Sequence, residues 1–130
     1  MQTPTEHDFH LELRHEAVGR LYAHVSGAAT LANTLAYWRA IAAELEAHPA
    51  QQLLLVDELA GPPLSAADWA MLVADVGPRL GQLRIAHVKP RGLDTVEYCV
   101  LSAMASGLEA QVFVDEHLAS VWLRYSPDGR

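Results

Sequence analysis

The sequence predicts a single α/β domain with a mixed, mainly parallel five-stranded sheet and about four helices in the order ββαβαβαβα. Two observations predict this class. Short segments that alternate apolar and polar residues are interspersed with longer segments in which apolar residues recur at helical spacing. The chain also closes with VFVDEHLASVWL, residues 112–123, where a buried type of strand passes directly into a capped amphipathic helix. Strands that alternate with helices in this way are typical of a mainly parallel sheet.

The first three predicted elements are two strands and a helix. Residues 9–14 and 21–26 have period-two alternation and are separated by a short polar stretch, so we expect an antiparallel hairpin. The helix begins behind Thr30, a capping residue, and Pro49 prevents its continuation. Its apolar positions are Leu31, Leu35, Trp38, Ala42 and Leu45.

The middle of the chain predicts a buried strand, a loop and a second helix. QLLLV, residues 52–56, is typical of an internal strand covered on both faces. Residues 57–64, DELAGPPL, are expected to be irregular because two prolines and a glycine interrupt them. Ser65, with Asp68 three residues later, predicts a helix start, and the Gly-Pro pair at 77–78 should end or kink that helix.

The last third predicts strand, helix, strand and helix. RIAHV, residues 84–88, is a strand, and AQVFV, residues 110–114, is the last one. Between them a third helix should start behind Asp94 and end before Gly107, and Asp115 should cap the last helix. Right-handed crossovers should make the last four strands parallel, with the first strand alone opposite.

Length, charge and hydropathy restrict the class of protein. The 130 residues fit one domain, with a core at about 8–124 and a short tail at 125–130. The net charge of −7 would repel nucleic acid and anionic membranes, and no apolar run approaches the roughly 20 residues of a spanning helix. The amino terminus has no signal-peptide core, and Cys99 is the single cysteine, so we expect a soluble cytoplasmic protein without disulfides.

The element order and several short motifs resemble the STAS and SpoIIAA-like families. The motifs are VSG at the end of the hairpin, a Trp-Arg pair in the first helix, LLVDE at 54–58, IAHV before the third helix, and the closing VFVDEHLASVWL. The SpoIIAA-like branch typically ends in a helix like that around Ala119, Trp122 and Leu123. The resemblance implies a SpoIIAA-like fold that binds a protein or an apolar small molecule rather than catalysing a reaction.

One departure from these families concerns phosphorylation. STAS anti-sigma-factor antagonists carry an Asp-Ser-Ser-Gly-like turn whose serine is phosphorylated, whereas residues 57–61 here read DELAG and have no hydroxyl. Ser65 is the nearest candidate, since a phosphate at a helix start gains from free N–H groups and the helix dipole. The alternative interpretation of Ser65 is a plain helix cap.

Charged residues are expected at the carboxyl ends of the parallel strands, where ligands of such sheets collect. We predict a solvated rim that contacts a ligand or partner, formed by Asp57, Glu58, Lys89 and Asp115. An acidic cluster with a lysine is also typical of phospho-receiver domains, but those domains lack a leading hairpin.

Other sequence patterns for catalysis are weak. The chain has no Walker loop, no dinucleotide-binding glycine motif and no nucleophile elbow. His10 and His24 could hold a divalent metal across the hairpin, but HEAVG at 15–19 lacks the second histidine of a zincin motif. We therefore expect a protein without a metal or cofactor, and a metal-dependent hydrolase is the least favoured function.

Apolar residues suggest what the module binds. If all crossovers place their helices on one face of the sheet, the other face needs a helix, a partner subunit or an apolar ligand to cover it. The predicted function is a non-enzymatic regulatory or protein-interaction module that binds a protein partner or self-associates. The alternative is a carrier or sensor of an apolar small molecule or lipid, with a cavity lined by Tyr37, Trp38 and Trp69.

Overall fold

The computed structural model describes residues 9–16, 19–62, 64–80, 82–90 and 109–125. These residues form five strands and three helices, which confirms the α/β class. In chain order they are β1 (Phe9–Glu16), β2 (Arg20–Ala28), α1 (Leu31–Ala47), β3 (Gln52–Ala60), α2 (Ala66–Leu80), β4 (Arg84–Val88), β5 (Glu109–Phe113) and α3 (Glu116–Arg124). The predicted helix between Asp94 and Gly107, including Cys99, lies outside the described residues, so three helices are described where about four were predicted.

The sheet has the predicted topology. Its strand order is β1-β2-β3-β4-β5, with β1 antiparallel to β2 and the remaining neighbours parallel. The hairpin turn contains Gly19 at a φ of 77°, a left-handed conformation that a glycine adopts without strain. Both the hairpin and the parallel run of four strands are therefore confirmed.

Three of the four residues predicted to start helices, Thr30, Ser65 and Asp115, cap them, and the fourth, Asp94, lies outside the described residues. The Thr30 hydroxyl accepts a hydrogen bond from the Asn33 N–H at the start of α1. Ser65 Oγ accepts one from the Asp68 N–H at 3.0 Å, and the Asp115 carboxylate caps α3. Each bond satisfies a backbone donor that the first turn of a helix leaves without an intrahelical partner.

The irregular segment predicted at 57–64 is wrong in its first half. Strand β3 continues to Ala60 because this stretch pairs with β2 as far as Ala28, and the Ala29 N–H then donates to the Ala60 carbonyl at 2.9 Å. The backbone turns away only at Gly61, where φ is 145°. The structure also continues α2 past Pro78 to Leu80, since a proline in the last turn removes only one helical hydrogen bond.

Helices α1 and α2 cover one face of the sheet. The odd-numbered residues of β2 and β3 point towards them and form the larger core with their apolar residues, among them Leu21, Ala23, Val25, Leu53, Leu55, Ile41, Leu72 and Val76. All of these side chains are buried. This face therefore has the continuous apolar packing that the helical spacing of both segments predicted.

Helix α3 lies on the opposite face. It packs on a second core formed by Leu54, Val56, Ala86, Val88, Ala119 and Leu123. The guanidinium of Arg84 stacks on the Trp122 ring at 3.8 Å and donates to the Trp122 carbonyl at 3.0 Å. The sequence left open whether a helix, a partner subunit or an apolar ligand covers this face, and the structure shows that a helix does. The crossover rule does not place α3, because it governs only helices that join two parallel strands and α3 follows the last strand. Within the described segments, no helix has the length and apolarity needed to cross a membrane.

Candidate functional site

Three ionisable side chains meet where β4 ends beside β3, on the face of the sheet that α1 and α2 cover. Asp57, His87 and Lys89 are only 3%, 1% and 4% exposed. Asp57 is in phase with Leu53 and Leu55, and Leu55 is paired with His87 in the parallel register. The pleat of the strands therefore directs Asp57, His87 and Lys89 towards the face that α1 and α2 cover. The three residues are called the buried polar network below.

The network is centred on the Asp57 carboxylate. His87 Nε2 lies 2.8 Å from Oδ2, and Lys89 Nζ donates to Oδ1 at 3.1 Å. The Leu59 N–H also donates to Oδ1, at 3.0 Å, and Lys89 donates a second bond to the Leu59 carbonyl at 2.6 Å. Since an ionised carboxylate only accepts hydrogen bonds, His87 Nε2 is the donor in its pair with Asp57.

The environment of Asp57 favours its charged form. Burial by itself would raise the pKa of this carboxyl, but the hydrogen bond from His87, the charges of His87 and Lys89 and the Leu59 N–H together hold its pKa below the ordinary value. The carboxylate and the Lys89 ammonium therefore form a buried ion pair whose polar atoms have partners within the fold. The network is well suited to holding the end of β3 in place.

The lowered pKa of Asp57 predicts a specific loss of stability in acid. Ionised Asp57 stabilises the fold fully above its unfolded-state pKa of about 3.9, and this contribution is lost as the pH falls through the lower folded-state pKa. Below about pH 4 we therefore expect the free energy of unfolding to fall more steeply for the wild type than for Asp57→Asn. Urea titrations at several pH values measure both curves, and parallel acid limbs would contradict the assignment.

The predicted solvated rim is divided between the interior and the surface. It is wrong for Asp57 and Lys89, because both point into the core. Glu58 projects from the other face of the sheet and is exposed, with an oxygen 3.2 Å from His24 Nε2. Asp115 is exposed and caps α3. His87 was not singled out from the sequence, although its phase with Ile85 marks it as an inward-facing residue of β4.

The predicted aromatic pocket residues are part of the larger core. Tyr37, Trp38 and Trp69 are 0%, 3% and 3% exposed, and the Tyr37 and Trp38 rings stack with centroids 5.5 Å apart. The indole N–H groups of Trp38 and Trp69 have no hydrogen-bond partner among the described residues. These residues fill space between the helices and the sheet, and they leave two buried donors free.

Of the two histidines predicted as a possible metal pair, His24 contacts Glu58, with its Nε2 3.2 Å from a carboxylate oxygen. In the hairpin register His10 is paired with Ser26 and His24 with Glu12, so the two histidines are diagonal neighbours on one face. Two other histidines, His15 and His48, share a single carboxylate, that of Glu44.

A stretch of exposed, mainly uncharged residues directly follows Asp57 along the chain. We call this run the 58–71 surface; it leads from the end of β3, where Glu58 projects from the face opposite to α2, to the first two turns of α2. Its exposed members are Glu58, Ala60, Gly61, Pro62, Ser65, Ala66, Ala67, Ala70 and Met71. Glu58 is the one charged member, and Met71 is 50% exposed. Ser65 lies within this surface.

Comparison with known proteins finds no matching family model and no matching curated protein. The function is therefore inferred from the residues of this chain and from its mixed five-stranded α/β architecture.

Proposed function

We propose that the protein is a non-enzymatic regulatory or interaction module of the STAS/SpoIIAA-like type, and that it binds a protein partner through the 58–71 surface. The observation that carries the proposal is the composition of this surface. Its exposed members are mostly alanine, glycine, proline and methionine, and Glu58 is the only one of them that is charged. Exposed apolar patches mark sites of protein interaction. Among these residues Met71 is of the type that is enriched at the centres of interfaces.

The support beneath the surface is consistent with a preorganised binding site. Strand β4 pairs with β3 only as far as Val56 and Val88, so β3 extends beyond it. Lys89 and Asp57 hold the carbonyl and the N–H of Leu59 in this extension. A surface fixed before binding loses less conformational entropy on association. In this account the network positions the binding surface and takes no part in a reaction.

A charge placed on the surface should weaken binding. We expect Met71→Glu to weaken the partner complex by about tenfold or more, because the new carboxylate would have to be desolvated without a counter-charge. The measurement is quantitative affinity capture from lysate of the source organism, followed by titration of the repurified partner. Stability should be nearly unchanged, since Met71 is exposed.

The matched control is Leu118→Glu, a similar change at a residue of α3 that is 53% exposed. It should leave capture within about twofold of wild type, a difference of less than ~0.5 kcal/mol. A partner that binds the wild type, Met71→Glu and Leu118→Glu equally would contradict the proposed surface. Ser65→Asp, compared with Ser65→Ala, tests the phosphorylation hypothesis in the same experiment; equal binding by both variants would argue strongly against a switch at Ser65.

The second candidate, a carrier of a small apolar molecule, is favoured by the free indole donors of Trp38 and Trp69. A ligand that enters this core and offers an acceptor oxygen would satisfy donors that are otherwise costly to bury. Native mass spectrometry of gently purified protein, beside a denatured control, separates the two functions. A releasable extra mass supports the carrier, whereas the mass of the bare chain or its oligomer supports the interaction module.

A further inference from the structure

A cluster of two imidazoles and one carboxylate lies where β1 ends beside the end of α1. His15 is the penultimate residue of β1, Glu44 is in the last turn of α1, and His48 is the residue that follows that helix. We propose that these three residues bind a divalent transition-metal ion of the zinc type and that this ion joins the hairpin to α1. The proposal is independent of the proposed interaction function.

The ligand atoms already converge. One donor atom from each residue lies within 4.8 Å of the other two. His15 Nε2 is 2.7 Å and His48 Nδ1 is 3.4 Å from Glu44 Oε2, and the two imidazole rings are 5.7 Å apart. Ligands of a tetrahedral zinc ion at about 2.0–2.1 Å are separated by roughly 3.3–3.5 Å, so small side-chain rotations suffice to close the site.

The ligand types favour zinc and its neighbours over calcium or magnesium. Two imidazole nitrogens and a carboxylate oxygen are the protein ligands of many zinc sites, whereas calcium and magnesium prefer oxygen ligands alone. Three protein ligands leave the fourth tetrahedral position for water. On binding, the metal takes the lone pair of His15 Nε2, and the hydrogen now shared with Glu44 moves to Nδ1 or to solvent.

The surroundings favour a cation. The carboxyl end of a helix carries partial negative charge, and α1 has no basic residue in its last turn to offset it. The net charge of −7 adds to this attraction. The side chains of His15 and His48 are 39% and 70% exposed, so an ion can reach the site from solvent.

The site lies at the amino ends of the parallel strands, whereas the 58–71 surface begins at the carboxyl end of β3. At this end of the sheet β1 ends and β2 begins, and α1 ends here before β3 starts. An ion here would link β1 to α1 across the 29 residues that separate His15 from Glu44. Occupancy should therefore raise the thermal stability of the fold through preferential binding to the folded state.

Titration of the full, tag-free chain with zinc, by calorimetry, tests the proposal. We expect one equivalent to bind, the melting temperature to rise with zinc concentration, and the affinity to fall as the pH is lowered because protons compete for the imidazoles. Cobalt as a spectroscopic probe should give visible absorption bands in wild type. Each of Glu44→Gln and His48→Ala should weaken binding by about tenfold or more, since each removes one of three ligands.

The matched control is His24→Ala, which disrupts the two-residue pair with Glu58 and should leave zinc affinity unchanged. Circular dichroism checks that each variant is folded. Absence of stoichiometric binding would overturn the proposal, as would binding that persists unchanged in both Glu44→Gln and His48→Ala. Loss of zinc binding in these variants with partner capture intact would separate this site from the 58–71 surface.

Discussion

Replacing Asp57 by alanine is expected to lower the free energy of unfolding by about 3–5 kcal/mol, the usual cost of removing one partner from a buried ion pair. The variant leaves the Lys89 ammonium buried without its counter-charge and removes the acceptor of His87 and of the Leu59 N–H. Small domains have a total stability of roughly 5–15 kcal/mol, so the loss would be a large part of it. Urea unfolding followed by circular dichroism measures the change.

The matched control for this prediction is Asp75→Ala. Asp75 accepts a hydrogen bond from Arg39 at 3.0 Å, but their side chains are 40% and 54% exposed. Exposed ion pairs contribute about 0–1 kcal/mol, so this variant should stay close to wild type. Similar losses in both variants would show that Asp57 does not have the structural role assigned to it.

The second large effect is expected at the face covered by α3. Leu123→Ala should cost about 2–5 kcal/mol, because it removes buried methyl groups and leaves a cavity against the sheet. Leu123 is 1% exposed and packs in the core that contains Leu54 and Val88. The free energy of unfolding of this variant tests whether α3 is an integral layer of the domain.

Leu118→Ala provides the comparison within the same helix. The substitution is chemically identical, but Leu118 is 53% exposed. We expect a change within about 0.5 kcal/mol, as is usual for surface positions. If Leu123→Ala were as mild as Leu118→Ala, α3 would not be packed on the sheet as described.

The elements governed by local physics could be predicted from the sequence. Period-two alternation is visible in residues 9–14 and 21–26, and short polar side chains at Thr30 and Asp115 mark helix starts that the structure confirms. The extension of β3 to Ala60 could not be predicted in this way. It depends on pairing with Ala28 of β2, and no local signal within 57–60 reports a distant partner.

The buried polar network could be predicted only in part. The predicted topology places Asp57 and Lys89 near the carboxyl ends of neighbouring strands. Whether their side chains point into the core depends on the phase of each strand. That phase is visible in retrospect, because Asp57 continues the alternation of Leu53 and Leu55. The contact between Asp57 and His87 joins residues 30 positions apart and requires the register of β3 against β4. The covering of the second face by α3 depends on packing that the crossover rule does not determine.

Amide hydrogen exchange of the chain, alone and with a captured protein partner, tests the central claim most directly because it locates the binding surface. Protein binding slows exchange where it buries or rigidifies the backbone. The account predicts slower exchange in peptides that cover residues 58–71 and no change in peptides from α3. Protection confined to α3 or to the β1–β2 hairpin, with the 58–71 surface unaffected, would contradict it.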